Sequence, residues 1–190
     1  MREWDLAALR QHVGVVLQDV FLFSGDVRAN LALGDPAVPL ERIERAAEAA
    51  NADTFIRRLP ERYLAPVRER GSNFSAGERQ LLSLARVLVF QPEILVMDEA
   101  TSSVDTETEA LIQDALEKVM RNRTCFLIAH RLSTIRNADR IIVLHHGEIR
   151  EIGSHAELMD RRGIYYRLYQ LQYEREEFKL ASPVSERANH

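Results

Sequence analysis

Short runs of apolar residues alternate along the chain with longer segments of helical pattern. Four runs rich in β-branched or other apolar residues occupy positions 13–17, 94–97, 125–129 and 141–144. Such runs are typical of strands that are buried on both faces, as in a parallel or mixed α/β sheet. His145, His146 and Gly147 separate the last run from residues 148–152, which alternate in polarity and predict a hairpin. The pattern therefore predicts a mixed sheet.

The interval between the first two predicted strands, residues 26–91, has a helical pattern instead. One helix opens at Pro39, and another runs from Ser75 to near Phe90. Residues 106–120 carry apolar side chains at helical spacing, and 165–178 form a further, increasingly charged helix. The pattern thus predicts a helical insert in an α/β core, and residues 181–190 are predicted to be disordered.

Composition narrows the possible classes of function. A chain of 190 residues with 46% hydrophobic and 28% charged residues is ordinary for a globular domain. A net charge of −4 and a pI near 5.9 argue against nucleic acid as a partner, because such proteins usually present a basic face. Cys125 is the only cysteine, which excludes an internal disulfide and a cysteine zinc site and fits a reducing cytoplasm. The apolar runs are too short to span a bilayer.

The segment Ser75-Ala76-Gly77-Glu78 fits a capping box at the start of a helix. Ser75 stands at the N-cap and Glu78 at the third helical position, which explains the segment on structural grounds alone. The N-terminus of a helix with an exposed hydroxyl and a glycine is equally a phosphate cradle, because its free N–H groups and dipole favour an anion. Both interpretations stay open at this point.

Two adjacent carboxylates, Asp98 and Glu99, follow the strand predicted at 94–97. Ligands dock at the carboxyl ends of strands in open α/β sheets, so Asp98 could hold Mg²⁺ and Glu99 could polarise an attacking water. The alternative makes Glu99 or Thr101 a favourable first-turn residue of the next helix, with Asp98 turned to solvent.

Three other polar residues follow predicted strands or turns. His130 ends the run 125–129 and would reach the same edge of the sheet, although a lone histidine is usually structural. Gln18 follows the first run and is a weak signal by itself. His145 and His146 are interpreted as solvated residues of the hairpin loop.

The order of these segments resembles that of the ATP-binding cassette (ABC) ATPases, from about residue 10 to residue 171. VGVVLQDVFLFSGDVRANL is similar to the Q-loop segment, NFSAGE to the signature, ILVMDE to Walker B, SSVD to the D-loop and FLIAH to the switch-histidine strand. Residues 68–71, QDVFLFSG and GIYYRLYQLQ further resemble multidrug or lipid exporters. The resemblance implies an α/β, P-loop NTPase-like core, a mixed sheet flanked by helices, with an all-helical subdomain.

This resemblance divides the chain into four parts. Residues 1–25 correspond to part of the α/β core with the Q-loop, and 26–90 to the helical subdomain with the signature. Residues 91–171 correspond to the core with Walker B, the D-loop and the switch histidine. Residues 172–190 form a charged tail that is predicted to be disordered.

The resemblance also implies ATP and Mg²⁺ as cofactors, with two such domains enclosing the nucleotides head to tail. For the domain's own nucleotide it places Gln18 near Mg²⁺ and the attacking water, Asp98 on Mg²⁺, Glu99 as general base and His130 on the γ-phosphate.

For the nucleotide of the second domain the resemblance assigns the signature segment, Phe74, Ser75, Ala76 and Gly77, with Ser75 and Gly77 reaching the γ-phosphate. Asp105 would contact the second domain across the dimer. Phe74, Ala76 and Glu78 depart from the commonest pattern, which has Leu, Gly and Gln at these positions. The extra methyl of Ala76 would stand beside the phosphate and could loosen that contact.

One motif of the family is missing from the sequence. Phosphoryl transfer in P-loop enzymes uses G-x-x-x-x-G-K-[ST], whose backbone N–H groups and lysine hold the β- and γ-phosphates. The sequence contains no Gly-Lys pair, and its only lysines are Lys118 and Lys179. Because that loop precedes the Q-loop in the family, the resemblance predicts a cassette whose N-terminal part is missing.

The leading hypothesis is the nucleotide-binding domain of an exporter, which hydrolyses ATP as a homo- or heterodimer. It would drive a transmembrane domain from the cytoplasmic side of the cell membrane and meet the membrane only through that domain. The alternative is a non-hydrolysing partner that supplies only Ser75 and Gly77 to a complete cassette. An ATPase of DNA repair is disfavoured, because residues 26–91 lack the long heptad insert of those proteins.

Overall fold

The computed structural model describes residues 5–17, 19–98, 104–128 and 132–181. The chain packs as two compact units, residues 1–128 and residues 129–190, which are described in turn. The division predicted at residues 25, 90 and 171 remains a prediction. No helix in the described ranges is long and apolar enough to cross a membrane.

The first unit combines a small parallel sheet with helices. In chain order its elements are α1 (Leu6–His12), β1 (Val13–Val16), β2 (Gly25–Asp26), α2 (Val27–Leu31), α3 (Leu40–Ala49), α4 (Asp53–Ile56), β3 (Pro66–Val67), α5 (Ala76–Phe90), β4 (Ile94–Asp98), α6 (Thr106–Met120) and β5 (Thr124–Ile128). Single 3-10 turns cover Arg62–Leu64 and Glu69–Gly71. The predicted strands and the long helices of this unit are therefore confirmed.

Strands β1, β4 and β5 form the parallel sheet in the order β1-β4-β5. Their register sets Val16 beside Met97 and Met97 beside Leu127, so the carboxyl ends of all three strands lie together. Leu95 and Met97 of the central strand belong to the buried cluster that α5 and α6 complete. The fold is therefore α/β with a parallel sheet packed against helices.

The opposite face of this sheet is open within the described part of the chain. Val15 and Phe126 are each 57% exposed, and Ile128 is 56% exposed. The prediction that these runs are buried on both faces is therefore wrong for this face. A short apolar run shows that a strand can be buried, but it cannot show how many layers of chain are available to cover it.

The segment between β1 and β4 is mainly helical, as predicted, and packs with the sheet as one cluster. Helix α3 buries Ile43, Ala46 and Ala47 and packs against α5. The sequence pattern missed the short antiparallel pair of β2 and β3, in which Gly25 lies opposite Val67. Strands of two residues carry no period that a sequence pattern could reveal.

The second unit contains α7 (Leu132–Arg136), β6 (Ile141–His145), β7 (Glu148–Gly153), α8 (His155–Arg161) and α9 (Ile164–Ala181). Strands β6 and β7 form the predicted hairpin, with His145 paired to Glu148. His145 thus belongs to a strand rather than to the turn. His146 and Gly147 form the turn with φ of 53° and 77°, as a two-residue hairpin of the I′ type requires. Parallel and antiparallel pairings occur in separate sheets among the described strands.

Glu151 of β7 caps the last helix of this unit. Its carboxylate accepts hydrogen bonds from the backbone N–H groups of Ile164 (2.8 Å) and Tyr165 (3.0 Å). A Cβ atom on Gly163 would overlap the Glu151 carboxylate, so a larger residue there would displace this side chain from the two N–H groups. These two hydrogen bonds, first the one from Tyr165, lower the pKa of Glu151.

Helix α9 runs to Ala181, and so extends past residue 172, where the charged tail was expected to begin. Glu, Arg, Lys and Leu are good helix formers, which favours continuation of the helix. Residues 182–190 lie outside the described residues.

Candidate functional site

The carboxyl ends of the parallel strands form one edge of the sheet in the first unit. Asp98 is the last residue of β4 and lies in register with Ile128 of β5. Because open α/β sheets bind ligands at this edge, Asp98 occupies a position suited to a metal-bound phosphate. The described residues contain no group of three or more His, Cys, Asp and Glu that could hold a metal. The metal role of Asp98 stays a prediction, supported by its position at the strand end.

Three of the predicted catalytic residues, Gln18, Glu99 and His130, lie outside the described residues. Their roles stay predictions. The described strands that precede them in the chain are β1, which ends at Val16, β4, which ends at Asp98, and β5. These three strands lie in one parallel sheet in the order β1-β4-β5. The sequence pattern had predicted that they share a sheet.

The turn that opens α5 is a complete capping box. The Ser75 hydroxyl accepts a hydrogen bond from the backbone N–H of Glu78 (3.2 Å), and the Glu78 carboxylate accepts one from the N–H of Ser75 (2.8 Å). The capping role of Ser75 is therefore confirmed. A hydroxyl that accepts one hydrogen bond still has its own proton to donate, so capping does not exclude contact with an anion.

The same turn leaves two backbone donors open. Among the described residues, the N–H groups of Ala76 and Gly77 make no hydrogen bond. Unpaired N–H groups at the N-terminus of a long helix, together with the helix dipole, attract an anion. Two backbone N–H groups and the Ser75 proton could thus bind one phosphate.

Phe74, which the sequence analysis grouped with the ligand-binding residues, has its side chain in the core. The ring is 5% exposed and meets the ring of Phe55 edge to face, with centroids 6.0 Å apart. Its carbonyl oxygen accepts a hydrogen bond from Arg79 at 2.6 Å. Phe74 therefore anchors the turn to α4 through its ring, and its predicted contact with a nucleotide stays a prediction.

Gly77 packs directly against the next helix in the sequence. A Cβ atom added at Gly77 would overlap the Cγ2 methyl of Thr108 in α6 and would lie 3.1 Å from Cγ1 of Val104. Gly77 thus has a steric role that the sequence analysis did not foresee, because the helix that it meets lies about thirty residues away along the chain.

Asp105 caps α6 and faces Thr108. Its carboxylate accepts a hydrogen bond from the backbone N–H of Thr108 at 2.9 Å. This bond, followed by a second one from the Thr108 hydroxyl, lowers the pKa of Asp105. Two segments that the sequence analysis identified separately, residues 74–77 and Asp105, are therefore brought together at Thr108.

A further pair of polar residues fixes the loop that follows β1. The Asn30 amide accepts from the N–H of Phe23 (2.8 Å) and donates to the oxygens of Phe23 (2.8 Å) and Asp26 (3.0 Å). Arg86 of α5 donates to the oxygens of Asn30 (3.0 Å) and Phe21 (3.2 Å). Neither Asn30 nor Arg86 was predicted from the sequence. An arginine within the apolar run of α5 could have indicated a buried polar contact.

The fold is that of an ABC ATPase domain: a parallel sheet with a carboxylate at the end of its central strand, packed against a capped helix. The profile of the ABC transporter family matches residues 1–102, and the chain belongs to this family.

Relatives of the chain occur in several bacteria. It is 54% identical over 164 residues to a probable multidrug resistance ABC transporter ATP-binding/permease protein of Bacillus subtilis, which covers 86% of this chain and 24% of the relative. It is 51% identical over 173 residues to an ATP-dependent lipid A-core flippase of Syntrophus aciditrophicus, covering 91% of this chain and 29% of the relative.

A third relative is a fatty acid ABC transporter ATP-binding/permease protein of Mycobacterium bovis, 49% identical over 161 residues, covering 85% of this chain and 26% of the relative. The chain thus spans roughly a quarter of the length of the relatives that it matches.

Proposed function

We propose that this chain is the ATP-binding part of an ABC exporter and that it takes part in ATP hydrolysis within a head-to-tail dimer. The observation that carries the proposal is the turn at Ser75, Ala76 and Gly77, which offers open donors at the start of α5. Family membership and relatives named as ATP-binding/permease proteins support it.

In this proposal the γ-phosphate of the second domain's ATP meets the turn that opens α5. The Ser75 hydroxyl donates to one phosphate oxygen, and the N–H groups of Ala76 and Gly77 donate to another. Preorganised donors of this kind stabilise negative charge without rearranging at the moment of reaction. The Glu78 carboxylate stays engaged with the N–H of Ser75 and so holds the turn in place.

The domain's own nucleotide would be held at the edge of the sheet. Asp98 would hold Mg²⁺ there, and the ion would neutralise charge on the phosphates. Glu99 would accept the proton of the attacking water as a general base. Gln18 would orient that water, and His130 would donate to the γ-phosphate.

The partners of the proposed function are a transmembrane domain and a second nucleotide-binding domain. The printed names of the relatives join an ATP-binding part to a permease, which supports the first partner. Such an assembly would keep this chain on the cytoplasmic side of the cell membrane, and the transported substrate would be bound by the permease.

Ser75→Ala and Ser154→Ala form a matched pair that tests this proposal. Both serines are N-caps of complete capping boxes, at the starts of α5 and α8. Each variant should lose roughly 1 kcal/mol of stability because one cap is removed. When the natural polypeptide is assayed, only Ser75→Ala should also slow ATP hydrolysis. Equal hydrolysis by the two variants would reject the phosphate role of Ser75.

The general base can be tested separately. Glu99→Gln should keep ATP binding while slowing hydrolysis by about 10² to 10⁴-fold, the usual effect of losing a general base. Single-turnover measurements with labelled ATP separate the two steps. Normal turnover in this variant would remove Glu99 from that role.

A further inference from the structure

We propose that Thr108 is a positioning residue that joins the turn at Ser75 to Asp105. Its methyl group seats Gly77 at the start of α5, and its backbone N–H donates to Asp105 at the start of α6 at 2.9 Å. This inference rests on the proposed function, because only that function assigns the turn at Ser75 and Asp105 to one ATP-hydrolysing dimer. Neither the family match nor the sequence motifs point to Thr108.

The methyl side of the contact explains why position 77 is a glycine. Gly77 lies within the first turn of a regular helix and has no positive φ, so its backbone does not require glycine. Alanine at such a position normally stabilises a helix by roughly 0.5 to 1 kcal/mol. Here the Cβ atom would overlap the Thr108 methyl, which leaves no room for it.

The backbone of Thr108 is fixed at the same place. Its N–H donates to the Asp105 carboxylate at 2.9 Å, which caps the first turn of α6. A threonine side chain in a helix has few accessible rotamers, so a fixed backbone also restricts the direction of the methyl group that meets Gly77. Thr108 therefore acts as a rigid spacer between the two segments.

The spacer has a functional consequence under the proposed function. The turn at Ser75 and the segment that ends at Asp105 are proposed to serve different nucleotides or different faces of the dimer. A displacement of one segment would shift the other through Thr108, because Gly77 meets its methyl group and Asp105 is bound to its backbone N–H. The two halves of the site would therefore respond to each other.

Two substitutions at Thr108 test whether its methyl group positions Gly77. Thr108→Ser removes the methyl and keeps the hydroxyl, whereas Thr108→Val keeps a methyl and removes the hydroxyl. In the natural polypeptide we expect Thr108→Ser to raise the KM for ATP by about three- to tenfold, and Thr108→Val to raise it less. Thr106→Ser and Thr106→Val, on the exposed side of the same helical turn, are the matched controls and should stay within about twofold of the wild type.

A double variant tests the steric pair directly. Gly77→Ala should lower both the melting temperature and kcat, and adding Thr108→Ser should restore both to the level of Thr108→Ser alone, because the overlapping methyl has gone. Recovery of the melting temperature without recovery of kcat would overturn the inference, since Gly77 would then act on the nucleotide directly. Unchanged melting of Gly77→Ala, or a KM of Thr108→Ser that equals that of Thr108→Val, would overturn it as well.

The same experiment keeps this inference distinct from the proposed function. If the wild-type polypeptide hydrolyses no ATP, the proposed function fails. The melting temperatures of Gly77→Ala and of the double variant still decide whether Thr108 seats Gly77.

Discussion

Arg86 donates through Nε to the backbone oxygen of Asn30 at 3.0 Å and so ties helix α5 to the loop after β1. Burial lowers the pKa of Arg86, yet an arginine stays protonated at any ordinary pH. Among the described residues Arg86 has no carboxylate partner, and its charge is met by the oxygens of Asn30 and Phe21. Helix α5, which begins at the turn of Ser75, thus also holds the loop in which Phe21 and Phe23 are exposed.

Asn30→Ala should be strongly destabilising. Asn30 is 2% exposed, and its loss leaves three backbone groups of Phe23 and Asp26 without their partner. We expect the free energy of unfolding to fall by about 2 to 3 kcal/mol. Urea unfolding followed by circular dichroism measures the change, with the exposed Asn137→Ala as the control. A loss as small as that of the control would show that the loop is held by other contacts.

Tyr63→Phe tests a buried hydrogen bond in the helical segment. The Tyr63 hydroxyl donates to Asp53 at 2.8 Å, and burial followed by this bond raises the pKa of Tyr63. Asp53 also pairs with Arg57 at 2.5 Å, so its charge stays partly compensated in the variant. A loss of about 1 to 2 kcal/mol is expected. Tyr166→Phe, which removes an exposed bond to Gln170, should change urea unfolding far less.

Glu151 gives a prediction about pH. Its pKa is lowered in the folded chain, so its cap stabilises α9 above the usual value of 4.5 and is lost as the pH falls through the lower, folded pKa. The amide NMR signals of Ile164 and Tyr165 should therefore titrate together, with a midpoint below 4.5. Glu151→Gln should abolish this titration and Glu148→Gln should leave it intact. A midpoint at or above the usual value would contradict the proposed cap.

The two faces of β5 should respond differently to the same chemical change. Phe126 is 57% exposed, whereas Leu127 packs against the buried cluster. In the 190-residue chain Leu127→Thr should lower the free energy of unfolding by about 2 kcal/mol, and Phe126→Thr by less than about 0.5 kcal/mol. Phe126→Thr should also reduce the fluorescence of bound ANS, a dye that reports exposed apolar surface. Equal destabilisation would mean that both faces are covered.

The sequence alone was enough to predict the elements that depend only on residues close together in the chain. The capping box at Ser75 and Glu78 needs only residues three apart, and the hairpin turn at His146 and Gly147 needs only two adjacent residues. Both were predicted, and both are present. Apolar runs located the three parallel strands for the same reason.

Contacts between distant parts of the chain could not be predicted in this way. Gly77 meets Thr108 and Asn30 meets Arg86 only after the helices have packed, and no periodicity links those positions. The apolar pattern of the runs did not indicate the open face of the sheet, because apolar character does not specify how many layers will cover a strand. The predicted roles of Gln18, Glu99 and His130 came from family resemblance, and the described residues do not include them.

The order of strands in the parallel sheet has a consequence for how the first unit folds. Strand β4 pairs with β5 across about thirty residues of chain, but it pairs with β1 across about eighty, with the whole helical segment between them. Closing the longer loop costs more entropy, so the β4–β5 pair with α6 should form first and β1 should join afterwards. Asp98, at the end of β4, would then reach its final surroundings only when β1 has joined the sheet.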